Sequence, residues 1–488
     1  MKLLYINPSV YNRSGFPDMP MSLLYLSAVA RQYCETRILD LIHTEGNYIE
    51  NLKKTINEYE PDIVGITCLF SKCVESALEI AMIIKSMRPE TLLMTGGMHP
   101  TIFAKKILQN CFDIDIVFIG EGEASIRKVL QALDSQNPDF SDIGGIAYRE
   151  KDCHPVLTAY SSEGELLSWI SECPIHYNPD TEFIQNLDEL PMPAYDLLRF
   201  EDYVIDTSKW YNPNGVDFGN GLVSAIITSR SCPRRCNFCS NRLVMGEKFR
   251  ARSSESVLDE MEFLYHQYNV RYFNIEDDNF TLDKKRAVQI CNGIVARNMK
   301  IAFEMRNGLA VNTLDEEIIS AMVEAGLIRA SLAIESGSDY IRNEVIGKYL
   351  SRNKIYEICN IFSKYEKVHL SAFFIMGFPE DTEETLLDSI NMIKELKIDN
   401  LFAFALLPLP GTKVFDQCIR DNLFIEKYNE DTFWKDGNLF PRMKNTTFFI
   451  KPYQLSLEQL FSYHEIFEEL KRKKNEEAKK KGKALASW

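Results

Sequence analysis

No apolar run in the 488-residue chain reaches the roughly 18 residues that a membrane-spanning helix needs. Its opening, MKLLYINPSV, lacks the long apolar stretch of a secretory signal, so a reducing, cytoplasmic setting is expected. Cysteine is sparse: 12 residues fall far below the density of a disulfide scaffold. Positive charge is in deficit. The 55 Lys+Arg stand against 70 Asp+Glu, a formal charge of −15, the reverse of a nucleic-acid binder's basic footprint. No G-x-G-x-x-G follows the first apolar run, which leaves a dinucleotide poorly supported. No repeat of 20–50 residues is present. The rest of the composition is that of a globular chain, 45% hydrophobic and 26% charged, of a length suited to two to four domains.

Periodicity divides the chain. Over residues 1–150, nearly continuous apolar runs (2–8, 37–41, 62–68, 91–97, 115–120) alternate with helix-period segments near 21–34, 47–58, 73–86, 101–109 and 123–134. That pattern predicts strands buried on both faces of a doubly wound parallel sheet. Ligands of such sheets bind at the strands' carboxyl ends. There stand Asn7-Pro8, Thr67, Gly96-Gly97 and Gly120-Glu121-Gly122-Glu123. Residues 151–222 are rich in Pro, Asn and Asp and read as a linker. From 223 to 412 six strand–helix units follow, with helices near 254–268, 282–297, 315–325, 338–364 and 381–395. Six units are too few for a closed eight-unit barrel and predict an open, partial one. Residues 413–488 read as a small helical region. Eight Lys/Arg between 471 and 483 face two Glu there, the pattern of a solvated, fraying helix end. The fold class expected is therefore α/β: an N-terminal Rossmann-like sheet, a partial (β/α)6 barrel and a helical C-terminal region.

One tight cysteine group exists. Cys232, Cys236 and Cys239 lie in SCPRRCNFC, spaced C-x3-C-x2-C, directly after the strand run SAIITSR. Three thiolates on one loop suit a soft metal: zinc, Cu(I) or iron–sulfur. Structural zinc wants a fourth protein ligand, and the next His and Cys are distant, at His266 and Cys291. Three ligands instead leave one iron of a cubane cluster open to a small molecule. The remaining cysteines are scattered and read mostly as small core residues.

The C-x3-C-x2-C loop after the first barrel strand, with Phe238 before its third Cys, resembles the radical S-adenosylmethionine (SAM) superfamily. The resemblance implies a [4Fe–4S] cluster on Cys232, Cys236 and Cys239, with SAM chelating the open iron and yielding a 5′-deoxyadenosyl radical. Five later strand ends resemble the superfamily's motifs: Glu276-Asp277-Asp278-Asn279-Phe280, Glu304-Met305-Arg306, Glu335-Ser336-Gly337-Ser338, Gly377-Phe378-Pro379-Glu380 and Pro408-Leu409-Pro410-Gly411-Thr412. From these, Phe238, Glu276, Asp278, Arg306, Glu335 and Ser336 are expected at SAM. Acidic groups suit its ammonium and ribose diol, and Arg306 its carboxylate. Asp381, before Glu384, reads partly as a helix cap.

Residues 1–150 resemble the cobalamin-binding domain fused to many of these enzymes, through Asn7-Pro8, Pro20–Leu26, PDIVGIT, GGMHPT, GEGE and the linker stretch LPMPAYD. Cobalamin contacts are then expected at Thr67, Gly96, Gly97, His99, Gly120, Glu121 and Gly122. The D-x-H-x-x-G motif that puts a His under cobalt in some cobalamin proteins is missing. His43 therefore reads as a surface loop residue, and His99 as a turn residue bonded to backbone rather than to cobalt.

The family so resembled implies a cobalamin-dependent radical SAM methyltransferase. Such an enzyme methylates an unactivated carbon of a small-molecule or carrier-bound substrate through the radical and methylcobalamin. It draws electrons from a donor such as flavodoxin or ferredoxin. The alternative is a radical SAM/cobalamin cyclase or ring-rearranging enzyme. Further behind stands an RNA methylthiotransferase, for which no β-rich RNA-binding domain follows the barrel, and then a non-enzymatic sensor. No membrane or nucleic-acid partner is expected. Trp210, Tyr211, Trp434 and Phe440 read equally as pocket lining or core.

Overall fold

The computed structural model describes residues 1–8, 18–43, 46–69, 73–150, 174–425, 434–435 and 448–483, together with the backbone of two strands within 156–170. Phe440 and the loop at 9–17 lie outside the described residues.

The first unit runs β1 (Lys2–Asn7), α1 (Met21–Ala30), β2 (Glu35–Asp40), α2 (Tyr48–Tyr59), β3 (Ile63–Thr67), α3 (Val74–Met87), β4 (Leu92–Gly96), α4 (Met98–Asn110), β5 (Ile116–Phe118), α5 (Glu123–Leu133) and β6 (Ile146–Arg149). A hairpin of β7 (Val156–Tyr160) and β8 (Leu166–Ile170) precedes β9 (Ile175–Asn178). The sheet order is β2-β1-β3-β4-β5-β6-β9, with β1 to β5 parallel and β6 and β9 antiparallel. Alternate residues of its strands feed two cores. Leu4, Ile6, Val64 and Ile66 enter one, and Leu3, Tyr5, Ile63 and Met94 the other. Burial on both faces explains why these strands read as continuous apolar runs. Strand order reverses between β1 and β3, which opens a crevice at their carboxyl ends. The sheet does not stop at residue 150, since β9 comes from the segment expected to be linker.

The described residues that follow β9 are pinned rather than loose. Tyr195 Oη donates to Glu260 Oε1 at 2.5 Å, and Tyr203 Oη to Asp40 Oδ2 at 2.5 Å. His43 sits in the loop after β2, as expected, and is partly buried there with its ring 4.8 Å from that of Tyr203.

The second unit comprises β10 (Val223–Ile226), β11 (Ser229–Arg230), α6 (Asn241–Met245), β12 (Arg250–Ala251), α7 (Ser254–Gln267), β13 (Tyr272–Ile275), α8 (Lys284–Ala296), β14 (Ala302–Leu309), α9 (Glu316–Glu324), β15 (Leu327–Glu335), α10 (Arg352–Phe362), β16 (His369–Met376), α11 (Glu383–Glu395), β17 (Asn400–Ala405) and α12 (Lys413–Arg420). Six parallel strands pair in the order β10-β13-β14-β15-β16-β17, and the two edges do not meet. This is the open barrel the unit count predicts. Side-chain oxygens of Ser253, Asp283, Asp315, Ser351 and Thr382 cap the helices that follow. The single helix expected over 338–364 is broken. A π-helical turn, Tyr340–Val345, ends near Gly347 (φ +78°), and α10 starts only at Arg352. The fully buried Arg342 holds the break by donating to the carbonyls of Ser336 and Leu350, both at 2.7 Å.

The last helix, α13 (Leu457–Lys480), begins in a Ser456 capping box and buries Leu460, Phe467 and Leu470. Its basic end is docked, not fraying. Lys474 Nζ donates to Leu396 O at 2.8 Å, and Lys483 Nζ to Val368 O at 2.8 Å and Asp399 Oδ2 at 2.9 Å. Among the described residues no helix is long and apolar enough to cross a membrane.

Candidate active site

The cysteine loop projects from the β11–β12 ribbon, where Ser229 and Arg230 pair with Ala251 and Arg250. Ser231 turns into left-handed backbone (φ +71°) as the loop begins. Its N–H donates to Asp278 Oδ2 at 2.9 Å and its Oγ to Gly246 O at 2.7 Å. Two backbone bonds then pin the loop from outside: Asn237 N to Ile346 O at 3.1 Å, and Val414 N to Asn237 O at 3.2 Å. Phe238 packs edge-on against Phe378 at 6.1 Å, beside Ile341, Ile346 and Val414. The thiols of Cys232, Cys236 and Cys239 are therefore half-buried behind an apolar wall.

The donor set fits an iron–sulfur cluster better than a single ion. A tetrahedral zinc with bonds of about 2.3 Å would gather its thiolates to within about 4 Å of one another. Among the described residues no three His, Cys, Asp or Glu side chains are gathered tightly enough to hold one ion. The thiols nonetheless lie within electrostatic reach of each other. Burial pushes Cys236 up to about 11, with Cys239 and Cys232 adding to the rise, and burial likewise raises Cys239. A bound cationic cluster reverses that preference by taking up the thiolates. Asn279 Nδ2 lies 3.7 Å from Cys232 Sγ, placed to donate to a ligating sulfur, while its buried Oδ1 lacks a partner.

Of the expected SAM residues, Phe238 lies on this loop, Asp278 bonds to Ser231 and Glu335 bears on Cys236 and Cys239, and several already have partners. Glu335, in left-handed backbone (φ +70°) at the end of β15, pairs with Lys348 Nζ at 2.6 Å. Lys348 also bears on Cys236, whose ionisation it favours. Ser336 Oγ accepts from Ser338 N at 3.2 Å and organises the turn. Asp278, raised by burial, is occupied by the Ser231 N–H. Glu276 takes a bond from Asn274 Nδ2 at 2.9 Å, and burial, with Asp18 next, pushes its carboxyl up to about 7. Arg306 is engaged by Asp18 at 2.9 Å and Glu304 at 3.7 Å, so it is not the open carboxylate receptor expected. Asp381 is no cap. Thr382 caps α11, while Asp381 accepts from the N–H groups of Gly377 and Phe378 at 2.8 and 2.9 Å and so shapes the GFPE turn.

In the first unit, Thr67 ends β3 and Gly96 ends β4. Gly97 has φ +117°, and a Cβ there would lie 2.5 Å from Cys68 O, so only glycine lets the two strand tails close up. The chemistry of the crevice fits a large corrin held by backbone and shape. A small cavity of about 10 Å³ is lined by Cys68, Val74, Thr95, His99 and Ile114. His99 itself is buried in the first turn of α4, its Nε2 2.8 Å from Trp434 O and its pKa held down at about 4 by burial. It binds backbone, as the sequence suggests. Trp434 is core, joining the Leu4–Ile66 cluster. Gly120 N donates to Thr101 Oγ1 at 3.0 Å, and Gly122 faces Leu26.

Glu121 departs furthest from expectation. Its carboxylate takes Arg250 Nη1 and Nη2 at 2.7 and 2.5 Å, with Arg230 Nη1 at 3.3 Å. Arg230 Nη2 also donates to Glu123 at 2.7 Å. All four side chains are at most 7% exposed. The GEGE turn therefore clamps the base of the cysteine loop, and Glu121 is spent on that clamp rather than on the crevice. Sequence reasoning missed both arginines and Lys348, and named Asp277 and Asn279 only as members of the strand-end motif 276–280. Asp277 locks the end of β10 by accepting from Thr228 N at 2.6 Å and from the Thr228 and Ser229 hydroxyls at 2.5 Å.

The two strand-end faces meet. Ser240, next to Cys239, donates from Oγ to Met98 Sδ at 3.3 Å, and Met98 follows Gly97. A doubly wound sheet thus abuts an open barrel at its cysteine loop. Residues 226–393 match the Radical SAM superfamily and residues 11–130 the B12 binding domain. A methyltransferase of Pyrococcus horikoshii, itself described as uncharacterized, is 31% identical over 87% of this chain and 84% of its own length. The chain belongs to the radical SAM superfamily, in the group that carries a B12 binding domain. The cytidylyl-2-hydroxyethylphosphonate methyltransferase of Streptomyces wedmorensis is 27% identical over 86% of this chain and 82% of its own. The anaerobic magnesium-protoporphyrin IX monomethyl ester cyclase of Rubrivivax gelatinosus is 24% identical over 88% and 72%. Among solved structures, the radical SAM methyltransferase TsrM of Kitasatospora setae, with cobalamin and a [4Fe–4S] cluster bound, superposes with a TM-score of 0.70 at 17% identity, covering 96% of this chain and 88% of that one.

Proposed function

We propose that the protein is a cobalamin-dependent radical SAM methyltransferase that methylates an unactivated carbon of a small-molecule substrate. The similarity to a methyltransferase over 87% of the chain carries this reading, and the Met98–Ser240 contact, which sets the glycine turn of the sheet against the last cysteine of the loop, is consistent with it. When bound, the cluster and SAM supply a 5′-deoxyadenosyl radical and cobalamin supplies the methyl group. The chain's own residues bind, orient and exclude water.

Glu335 and Lys348 would hold the amino-acid end of SAM, since a zwitterion offers each of these buried charges a new partner of the right sign. Asn279 would donate to the sulfur of Cys232, and the Phe238–Phe378 wall would keep water from the loop. Thr67, Gly96 and Gly97 would line the corrin's crevice, with His99 held away from cobalt by Trp434 O. The Glu121–Arg250 clamp would fix the distance between the two cofactors. An external one-electron donor of flavodoxin or ferredoxin type would complete the cycle.

Product balance tests the reading. Turnover of the anaerobically reconstituted protein with candidate metabolites is expected to form one S-adenosylhomocysteine and one 5′-deoxyadenosine per methylated product. Product formed with 5′-deoxyadenosine but without S-adenosylhomocysteine would favour the cyclase reading instead.

A further inference from the structure

The inner face of the barrel is chemically divided. Outward-pointing residues such as Phe303, Ala330, Leu370, Ala372, Phe374 and Leu401 join the main hydrophobic core. The alternate residues face the lumen. Low in the lumen, Asn274, Glu304, Arg329 and His369 are register partners on β13, β14, β15 and β16 and form one polar row. Above it on the β13–β14 side stand Glu276 and Arg306, the latter tied to Asp18.

The β16–β17 side is different. Phe373 and Phe402 are register partners, and Phe404 follows two residues on. Their ring centroids are 5.6, 5.9 and 6.2 Å apart, and the Phe402 and Phe404 planes are parallel to within 6°. None of the three belongs to a hydrophobic core cluster of the described residues. Phe404 is 47% exposed on the barrel's unpaired edge strand. Across the lumen, Gly308 (φ +92°) leaves room for Phe373, whose ring lies 2.8 Å from where a Cβ would be. Large apolar side chains that skip the core and line the mouth of a lumen cost hydrophobic free energy unless a ligand covers them.

Resting on the methyltransferase assignment, we propose that Phe373, Phe402 and Phe404 form the substrate-binding wall. The substrate class they select is a molecule with a flat, apolar ring system and a polar end. Parallel aromatic planes gain most from a flat ring laid in offset or edge contact, and little from a puckered aliphatic one. The polar end would then face Glu276 and Arg306.

The test is binding, not turnover. Indole is titrated by saturation-transfer NMR into the reconstituted full chain with SAM present, with cyclohexanol as the non-planar competitor. Indole is expected to saturate a single site. Phe404→Ala should weaken it about tenfold, and Phe404→Leu, which keeps apolar volume but removes the ring, by a similar factor. Absence of saturable indole binding, unchanged affinity in both variants, or equal competition by cyclohexanol would each overturn the proposal. Phe404 is half exposed, and thermal midpoints check that both variants fold. Release of 5′-deoxyadenosine is followed in parallel. Its absence from the wild type would sink the methyltransferase reading, whereas its presence without indole binding would sink only the aromatic wall.

Discussion

The two strand-end faces that meet at the cysteine loop are built from opposite materials. The barrel's face is made of charged and titratable side chains: Glu276, Asp278, Glu335 and Lys348 beside three thiols. The sheet's face is made largely of backbone, with Thr67, Gly96 and Gly97 at its strand ends and the His99 imidazole turned onto a carbonyl. The difference follows from what each must hold. SAM is small and carries an ammonium, a carboxylate and a sulfonium, so point charges would hold it. A corrin is broad, so shape and close backbone approach, which glycine permits, would hold it. The clamp of Arg230 and Arg250 on Glu121 and Glu123 joins the two faces and belongs to neither ligand.

That comparison can be broken at the barrel, at the clamp, or by pH. Cys236→Ala should have the largest effect. Iron and sulfide should fall well below the about four of each expected per chain, and SAM cleavage should fall to background, while cobalamin retention stays intact. Simultaneous loss of cobalamin would mean that the faces do not act separately. Glu121→Ala comes next. It leaves two buried guanidinium groups short of a partner and should cost about 3–5 kcal/mol in denaturant unfolding. The double change Glu121→Leu with Arg250→Met should recover part of that loss, because a buried pair replaced by apolar volume no longer leaves a charge stranded.

The pH effects are smaller and opposite in sign for the two faces. Glu276 sits at about 7 against its ordinary 4.5. Between those values the native chain keeps a proton that the unfolded chain has released, so this group lowers stability as pH rises. His99 sits at about 4 against 6.5. In that window the unfolded chain takes a proton that the native chain refuses, so this group raises stability as pH rises. Each is worth at most about 3 kcal/mol. Thermal midpoints between pH 4.5 and 6.5 should therefore climb more steeply with pH in Glu276→Gln than in the wild type, and less steeply in His99→Gln. Parallel curves for all three proteins would refute both assignments.

Much of this was legible before the fold was known, for a physical reason in each case. The strands of both sheets announce themselves because burial on both faces demands unbroken apolar runs. The cysteine loop is legible because its ligands must be close in sequence to converge. What stayed hidden was long-range. Glu121 meets Arg250 across 129 residues, and no local period records such a pair. The strand β9 lay in a Pro- and Asn-rich stretch that reads as linker. The helix expected over 338–364 is interrupted because Arg342 and Lys348 are needed at the β15 turn, a tertiary demand that overrides helical period. The division of the lumen into polar row and aromatic wall required strand register, which sequence leaves open.

With His99 kept on Trp434 O, one chain would set a cluster among charged side chains against a corrin that has no protein ligand to cobalt. Electron paramagnetic resonance of the full chain, reconstituted anaerobically with cluster and cob(II)alamin, tests it most directly. The account predicts one tightly retained cob(II)alamin per chain with no nitrogen superhyperfine splitting, unchanged in His99→Gln. A nitrogen splitting that disappears in His99→Gln, or failure of the reconstituted chain to retain cobalamin, would contradict it.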